Sequence, residues 1–298
     1  MGGSKSEIRN PKTEIIDSGS PVTVEEALET GAALLPTREG IPDPRREAEW
    51  LLAAALGVEE ITLRLHAERE VPTEVERRYR SWLERRAAGE PAHHLTGFCS
   101  FWGRDFEVSP MVLVPRPETE LVVETALGLP LPSEARILDV GTGSGCIAMT
   151  LAAERPRWRV TAVDWSSEAL AVARRNRDRL GVAVGLFRGD LASAVAPPWD
   201  LVVANLPYVP TDDIRRVPVE VRHDPVVSLN GGEDGLDLVR LLLSDLPRAL
   251  RPCGGAVLEI GEGQADAVAE IASAASFAVA RRVRDVGGVE RVIVLQVR

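Results

Sequence analysis

The chain has 298 residues, 45% of them hydrophobic, and a formal net charge of −10. That length allows about two domains with a sizeable core. The negative balance argues against a protein whose main affinity is for a nucleic-acid phosphate backbone, although 35 Lys and Arg leave room for local basic patches.

In chain order, the start MGGSKSEIRNPKTEIIDSGS is polar and turn-rich and lacks the apolar centre of a signal peptide, which predicts a flexible leader over 1–20. No apolar run reaches the roughly 18 residues needed to cross a bilayer, so a soluble, cytoplasmic protein is expected. Residues 21–90 read as a small helical domain. Thr23 with Glu26 makes a capping box at the start of VEEALETGAALL. Asp43-Pro44 supplies an N-cap and a first-turn proline. Ala48, Leu51, Leu52, Ala55 and Leu56 then repeat on one helical face, and Gly57 stops the helix. PTEVERRYRSWLERRAAG is a further helix with a narrow apolar stripe at Val75, Tyr79, Trp82 and Leu83. Its arginines are expected to form a solvated face rather than a binding surface.

LTGFCSFWGRDFEVSP changes character. Its aromatics, the alternation at Phe106 and Val108 and the turn signal at Gly103 predict a β-hairpin linker over 91–115, with Trp102 and Phe106 as packing residues. From 116 to 298 a catalytic domain of alternating strands and helices follows. Strands are expected in RILDVG, WRVTAVD, VAVGLFRGD, DLVVANLP, GAVLEIG, AVARRVRDV and ERVIVLQV, and helices in CIAMTLAAE, SEALAVARRNRDRL, LDLVRLLLSDLPRAL and QADAVAEIASAA. Such alternation predicts an α/β fold with a mostly parallel seven-stranded sheet covered on both faces, closed by an antiparallel hairpin at Gly287-Gly288.

LDVGTGSG sets Gly141, Gly143 and Gly145 directly after the first strand of this region, where glycine lets the backbone approach a ligand. Asp164 ends the next strand and can accept both hydroxyls of a ribose, so a nucleoside-containing cofactor is expected at the carboxyl ends of the strands. The spacing is G-x-G-x-G rather than the dinucleotide G-x-G-x-x-G, and Asp139 precedes the loop. An acid close to the ligand disfavours a pyrophosphate and suits a cation with an α-amino group, which points to S-adenosylmethionine. Asp190, at the end of the third strand, falls where the adenine amino group would lie; a helix-cap or turn role is an equal alternative. Three scattered cysteines (Cys99, Cys146, Cys253) without a C-x-x-C pair fit a reduced protein, and with the adjacent His93-His94 they give no metal site.

The fourth strand ends in Asn205-Leu206-Pro207-Tyr208. Asn and Pro are common turn residues, but a turn alone explains neither the bulky Leu206 nor Tyr208, read here as an exposed aromatic. Beside a methyl donor the set suits a flat substrate nitrogen. The Asn205 side-chain oxygen and the Leu206 carbonyl can hold its two N–H bonds while Tyr208 stacks on the planar group, so that catalysis is mainly positioning and electrostatics.

The glycine loop followed by this tetrapeptide looks like the amino-methyltransferase branch of class I S-adenosylmethionine-dependent enzymes, with their Rossmann-like sheet. FWGRDFEV, VPRPETE and LNGGEDGLD (229–237) make the chain resemble the PrmC/HemK family from about residue 21 onward. The resemblance implies transfer of a methyl group from S-adenosyl-L-methionine, with S-adenosyl-L-homocysteine as product, to the side-chain amide N5 of the glutamine in the Gly-Gly-Gln motif of class-1 peptide chain release factors. It carries over Gly141, Thr142, Gly143, Ser144, Gly145, Asp164, Leu191 and Asn205 as cofactor contacts, with Asp190 added from the residues themselves. Asn205, Leu206, Pro207 and Tyr208 become the substrate motif, and Asn205, Pro207 and Tyr208 the catalytic residues. Leu206 stands where the family usually has proline, which keeps the backbone carbonyl but loses the fixed φ. PAHHLTG also departs from the usual Gln-Tyr before the hairpin. Arg116 and Glu118 are either linker and cap residues or help close the cofactor pocket. The helical residues 21–90 are expected to help dock the release factor, and a monomer with no membrane or direct nucleic-acid contact is expected. The rival reading is an N6-adenine-type nucleic-acid amino-methyltransferase, since a flipped adenine presents the same flat amine.

Overall fold

The structure is a computed structural model and describes residues 21–298; the leader expected over 1–20 lies outside the described residues. The described chain divides into two compact units, one of residues 21–37 and 43–83 and the other of 38–42 and 84–298.

The first unit holds α1 (Val24–Leu34), α2 (Pro44–Leu56), α3 (Glu60–Leu65) and most of α4 (Thr73–Ala87). Both helix starts follow from the capping residues. The Thr23 hydroxyl accepts from the Glu26 N–H while Glu26 reaches back, and Asp43 accepts from the N–H groups of Arg45 and Arg46. Gly57 ends α2 in the left-handed region. Ala48, Leu51, Leu52 and Ala55 are buried as their spacing implies, while Leu56 is half-buried. Gly31 lets α1 close on Tyr79 of α4: a Cβ there would lie 2.1 Å from the Tyr79 hydroxyl, which donates to the Ala27 carbonyl at 3.4 Å.

In the second unit, α5 (Ala92–Thr96) leads into the hairpin of β1 (Phe98–Phe101) and β2 (Arg104–Glu107). Phe101 and Phe106 meet edge to face, 6.0 Å between ring centres, and are buried among core residues of this unit, with Trp102 packed at their margin. A 3-10 turn at Pro117–Thr119 opens α6 (Glu120–Leu127). Then come β3 (Arg136–Val140), α7 (Cys146–Glu154), β4 (Arg159–Asp164), α8 (Ser167–Leu180), β5 (Val184–Arg188), β6 (Trp199–Ala204), α9 (Asp237–Ala249), β7 (Leu250–Glu259), α10 (Ala265–Ala274), β8 (Phe277–Arg284) and β9 (Glu290–Val297). The seven-stranded sheet runs β5-β4-β3-β6-β7-β9-β8, with β5 to β7 parallel and β9 antiparallel to both its neighbours. One face is covered by α9 and α10 through Leu242, Leu243, Leu246 and Val268. The other is covered by α6 and α7 through Val122, Val123, Ile147 and Leu151. From β3 the chain winds outward to β4 and β5 and then returns to β6 on the other side of β3, so the order reverses between β3 and β6. That reversal opens a crevice at the carboxyl ends of the strands.

The arginine-rich helix corrects one expectation. Arg86 is not solvated: it is 2% exposed, donates to the Gly40 carbonyl at 2.7 Å and pairs with Glu220 at 2.7 Å. Burial of a guanidinium is tolerated only where its donors are paired.

Packing on α9 gives a direct check. Leu242 is fully buried and its neighbour Leu241 is 54% exposed. Leu242→Ala should therefore lower the unfolding free energy by about 2–5 kcal/mol in urea denaturation, and Leu241→Ala by less than about 0.5.

Candidate active site

The crevice is a cavity of about 940 Å³, at the upper end of the size range of small-molecule sites. Its floor is the loop after β3. The N–H groups of Gly141 and Thr142 both donate to the Val163 carbonyl, at 3.0 and 3.1 Å, which ties the loop to β4. Gly143 has φ +56, and a Cβ placed there would meet no protein atom within 4 Å. It would project into free space beside the cavity lining, so glycine serves both the backbone conformation and the room for a ligand.

Asp164 ends β4 and lines the cavity. Its carboxylate is fixed by the N–H groups of Gly143 and Ser166, each at 2.9 Å. Burial raises its pKa, and these N–H groups work in the opposite direction. Each oxygen keeps a lone pair for a further donor, such as a ribose hydroxyl. Thr142 and Ser144 also line the cavity, as do Asp190 and Leu191 at one end. Asp190 is exposed, and the 3-10 turn after it has Leu191 at its N-cap with no side-chain cap bond, so the cap alternative falls away. Leu191 adopts φ 45, ψ −147, a region that costs a non-glycine residue strain and clusters at ligand sites.

Three expectations are corrected. Asp139 does not face the cavity. It is 1% exposed beneath the loop, accepts from the Thr142 hydroxyl at 2.6 Å and leaves Oδ1 without a partner; burial pushes its carboxyl up to about 7. Its place is in bracing the loop. Gly145 is likewise absent from the lining and stands at the N-cap of α7, where a Cβ would lie 2.7 Å from Met149 Cε. Tyr208 is not an exposed aromatic. It is half-buried, its carbonyl accepts from Gln264 at 3.0 Å, and burial pushes its hydroxyl up to about 12.

Asn205, Leu206 and Pro207 line the large cavity at the end of β6. The bulk of Leu206 has a packing reason: it belongs to the buried core, and its Cδ2 would lie 3.1 Å from a Cβ on Gly141. A second cavity of about 210 Å³ shares Leu113, Asn205, Leu206 and Ser228 with the first and adds Tyr208 and Arg116. Asn205 and Leu206 thus stand between a large and a small chamber. Arg116 pairs with Asp224 at 2.6 Å, and Asp224 also accepts from the Val114 N–H at 3.3 Å. Neither Arg116 nor Glu118 lines the large cavity. Among the described residues no cluster of His, Cys, Asp and Glu fits a metal ion.

Two residues that the sequence reading passed over belong to this edge. Thr119 lines the large cavity, and its Oγ1 accepts from Asn205 Nδ2 at 3.1 Å. Glu259 ends β7 beside them, 4% exposed. The signal for it was present, an acid closing the apolar run AVLEIG at the same sheet edge as Asp164. Taken together, a glycine loop open to a ligand, an acid with free lone pairs and an amide facing two chambers fit a nucleoside-bearing ligand in the large chamber and a second ligand beside it at Asn205.

Residues 26–97 match the family model described as the PrmC N-terminal domain, and residues 118–219 that of the Methyltransferase small domain. The chain is 40% identical to the release factor glutamine methyltransferase of Geobacter sulfurreducens over 257 residues, 86% of this chain and 90% of that one. It is 44% identical to the protein of the same description from Pseudomonas aeruginosa over 253 residues, 84% and 92% of the two chains. Among solved structures, a methyltransferase from Pyrococcus furiosus shares the fold, with TM-score 0.52 at 20% identity over 66% of this chain and 90% of that one.

The buried Asp139 makes a stability prediction. Its folded pKa, about 7, lies above the ordinary carboxylate value of 3.8. The folded state therefore holds this proton more tightly, and the residue costs stability as pH rises from about 4 to 7. Asp139→Asn should raise the unfolding free energy by roughly 2–4 kcal/mol at pH 8. The gain should shrink steadily toward pH 4, as read by urea denaturation across that range.

Proposed function

The chain belongs to the release factor glutamine methyltransferase family, and from that premise we propose how its cavity carries out the reaction. It is an enzyme that methylates the side-chain amide nitrogen of a glutamine in a peptide chain release factor, and the proposed target is the N5 atom in the Gly-Gly-Gln motif.

S-adenosylmethionine, the proposed donor, supplies an electrophilic methyl group carried on a sulfonium. The residues lining the large cavity fit it: Gly141, Thr142, Gly143 and Ser144 would allow close backbone approach, Asp164 would receive the ribose hydroxyls, and Asp190 and Leu191 would border the base. The small chamber is assigned to the acceptor glutamine. An amide nitrogen is a poor nucleophile because its lone pair is delocalised into the carbonyl. Asn205 Oδ1 and the Leu206 carbonyl accept its two N–H bonds and orient the lone pair, while Pro207 and Tyr208 shape the walls and exclude water. As the C–N bond forms the sulfur–methyl bond breaks and S-adenosylhomocysteine leaves; the amide proton becomes acidic only then and is lost to solvent, so no strong base has to act first. The observation that carries this reading is the position of Asn205 and Leu206 on the boundary shared by the two cavities.

The helical unit is assigned the docking of the rest of the release factor, because it is compact apart from the unit that holds the cavity. Action as a monomer in the cytoplasm, without direct nucleic-acid contact, completes the proposal. Among the described residues no helix is long and apolar enough to cross a membrane.

The test is mass spectrometry of a purified release factor after incubation with enzyme and donor, beside DNA and RNA under the same conditions. A single added methyl on the Gly-Gly-Gln peptide is expected; transfer to nucleic acid alone would overturn the assignment. Asn205→Ala should lower kcat by on the order of 100-fold or more, with donor affinity much less affected. Gly143→Val should do the reverse, weakening donor binding in calorimetry by at least roughly tenfold through a side chain set in the cavity.

A further inference from the structure

An asparagine side chain is nearly symmetrical in shape, so something must decide whether its oxygen or its nitrogen faces the substrate. β6 and β7 run parallel with Ala204 beside Leu258. The next residues, Asn205 and Glu259, therefore emerge as neighbours on the opposite face. Glu259 is 4% exposed and its Oε2 has no hydrogen-bond partner, a costly arrangement for an acid that packing alone does not require. Thr119 and Asn205 both lie close enough to favour its ionised form, and Thr119 Oγ1 accepts from Asn205 Nδ2 at 3.1 Å. The Asn205 NH₂ group thus donates to Thr119 Oγ1 on the side where the Glu259 carboxylate lies, which leaves Oδ1 for the cavity. A reversed amide would set its oxygen toward a carboxylate, acceptor against acceptor.

We propose that Glu259, acting with Thr119, is the positioning residue that holds the Asn205 amide with Oδ1 toward the acceptor nitrogen. This rests on the reading of Asn205 given above. When ionised the carboxylate only accepts; when protonated it also carries an O–H donor. Burial pushes its pKa up to about 7, helped by Glu118 and opposed by Thr119, Arg291 and Asn205, while Tyr208 faces it. Protonation makes one of its oxygens a donor and removes the negative charge that favours the NH₂ group on this side, so the alignment weakens as pH falls through about 7.

The experiment measures kcat and KM on whole release factor, and the affinity for S-adenosylhomocysteine by calorimetry, with the full chain. Glu259→Gln should lower kcat by roughly 10- to 100-fold while KM and product affinity stay within about threefold. It should also remove the acid limb near pH 7 from the kcat profile. Thr119→Val should lower kcat in the same way, and Thr119→Ser should restore most of the loss. In an Asn205→Ala background Glu259→Gln should cost nothing further, because both act through one amide. A further loss in that background, an unchanged kcat for Glu259→Gln, or equal weakening of product binding would overturn the proposal. An unchanged kcat for Asn205→Ala alone would instead sink the reading of Asn205, and the proposal with it. If Glu259→Gln fails to fold, the Thr119 pair in the two backgrounds decides the matter.

Discussion

Parallel pairing of β3 with β4 on one side and β6 on the other is the constraint on which the rest depends. Parallel strands deliver their carboxyl ends to a single edge, and the reversal of strand order leaves a gap there that no crossover helix fills. The loop after β3, the acid ending β4 and the tip of β6 meet only because of that arrangement. They come from residues 141, 164 and 205, far apart in the chain. The side chains needed for the proposed reaction can then be short, since the backbone has already brought them together.

The same edge concentrates buried acids. Asp139 and Glu259 are almost fully buried, and burial pushes the carboxyls of both up to about 7. Neither lines the large cavity. Each stands directly behind a group that does, Asp139 behind Thr142 of the loop and Glu259 behind Thr119 and Asn205. A core built for stability alone would place apolar residues there. Their presence fits a division of labour in which an inner acid fixes the orientation of an outer polar group, so that little reorganisation is left for the moment of reaction.

Other residues carry reasons that chemistry at the site would have misassigned. Leu206 is bulky because it fills core beneath Gly141, so the position that departs from the usual proline is held by packing instead of by ring geometry. Arg116 braces the segment around Asp224 and faces the small chamber. The hairpin at Phe98–Glu107 contributes Phe101 and Phe106 to the core of the larger unit. It reads as a linker in sequence because four-residue strands carry too little periodicity to show what they pack against.

Local rules were enough for much of this protein. Helix starts at Thr23 and Asp43, the stop at Gly57 and the alternation of apolar strands with amphipathic helices are set by interactions within a few residues, so they are legible in one dimension. The glycine spacing with Asp164 and Asn205 marked the sheet edge for the same reason, because motifs there are contiguous. Which way Asp139 points, that Gly145 caps a helix instead of lining the cavity, that Arg86 is buried and Tyr208 half-buried, and that Glu259 stands beside Asn205 were decided only in three dimensions. Each depends on burial or on strand register between distant segments, and a single residue's shift in register would turn those side chains to the other face of the sheet.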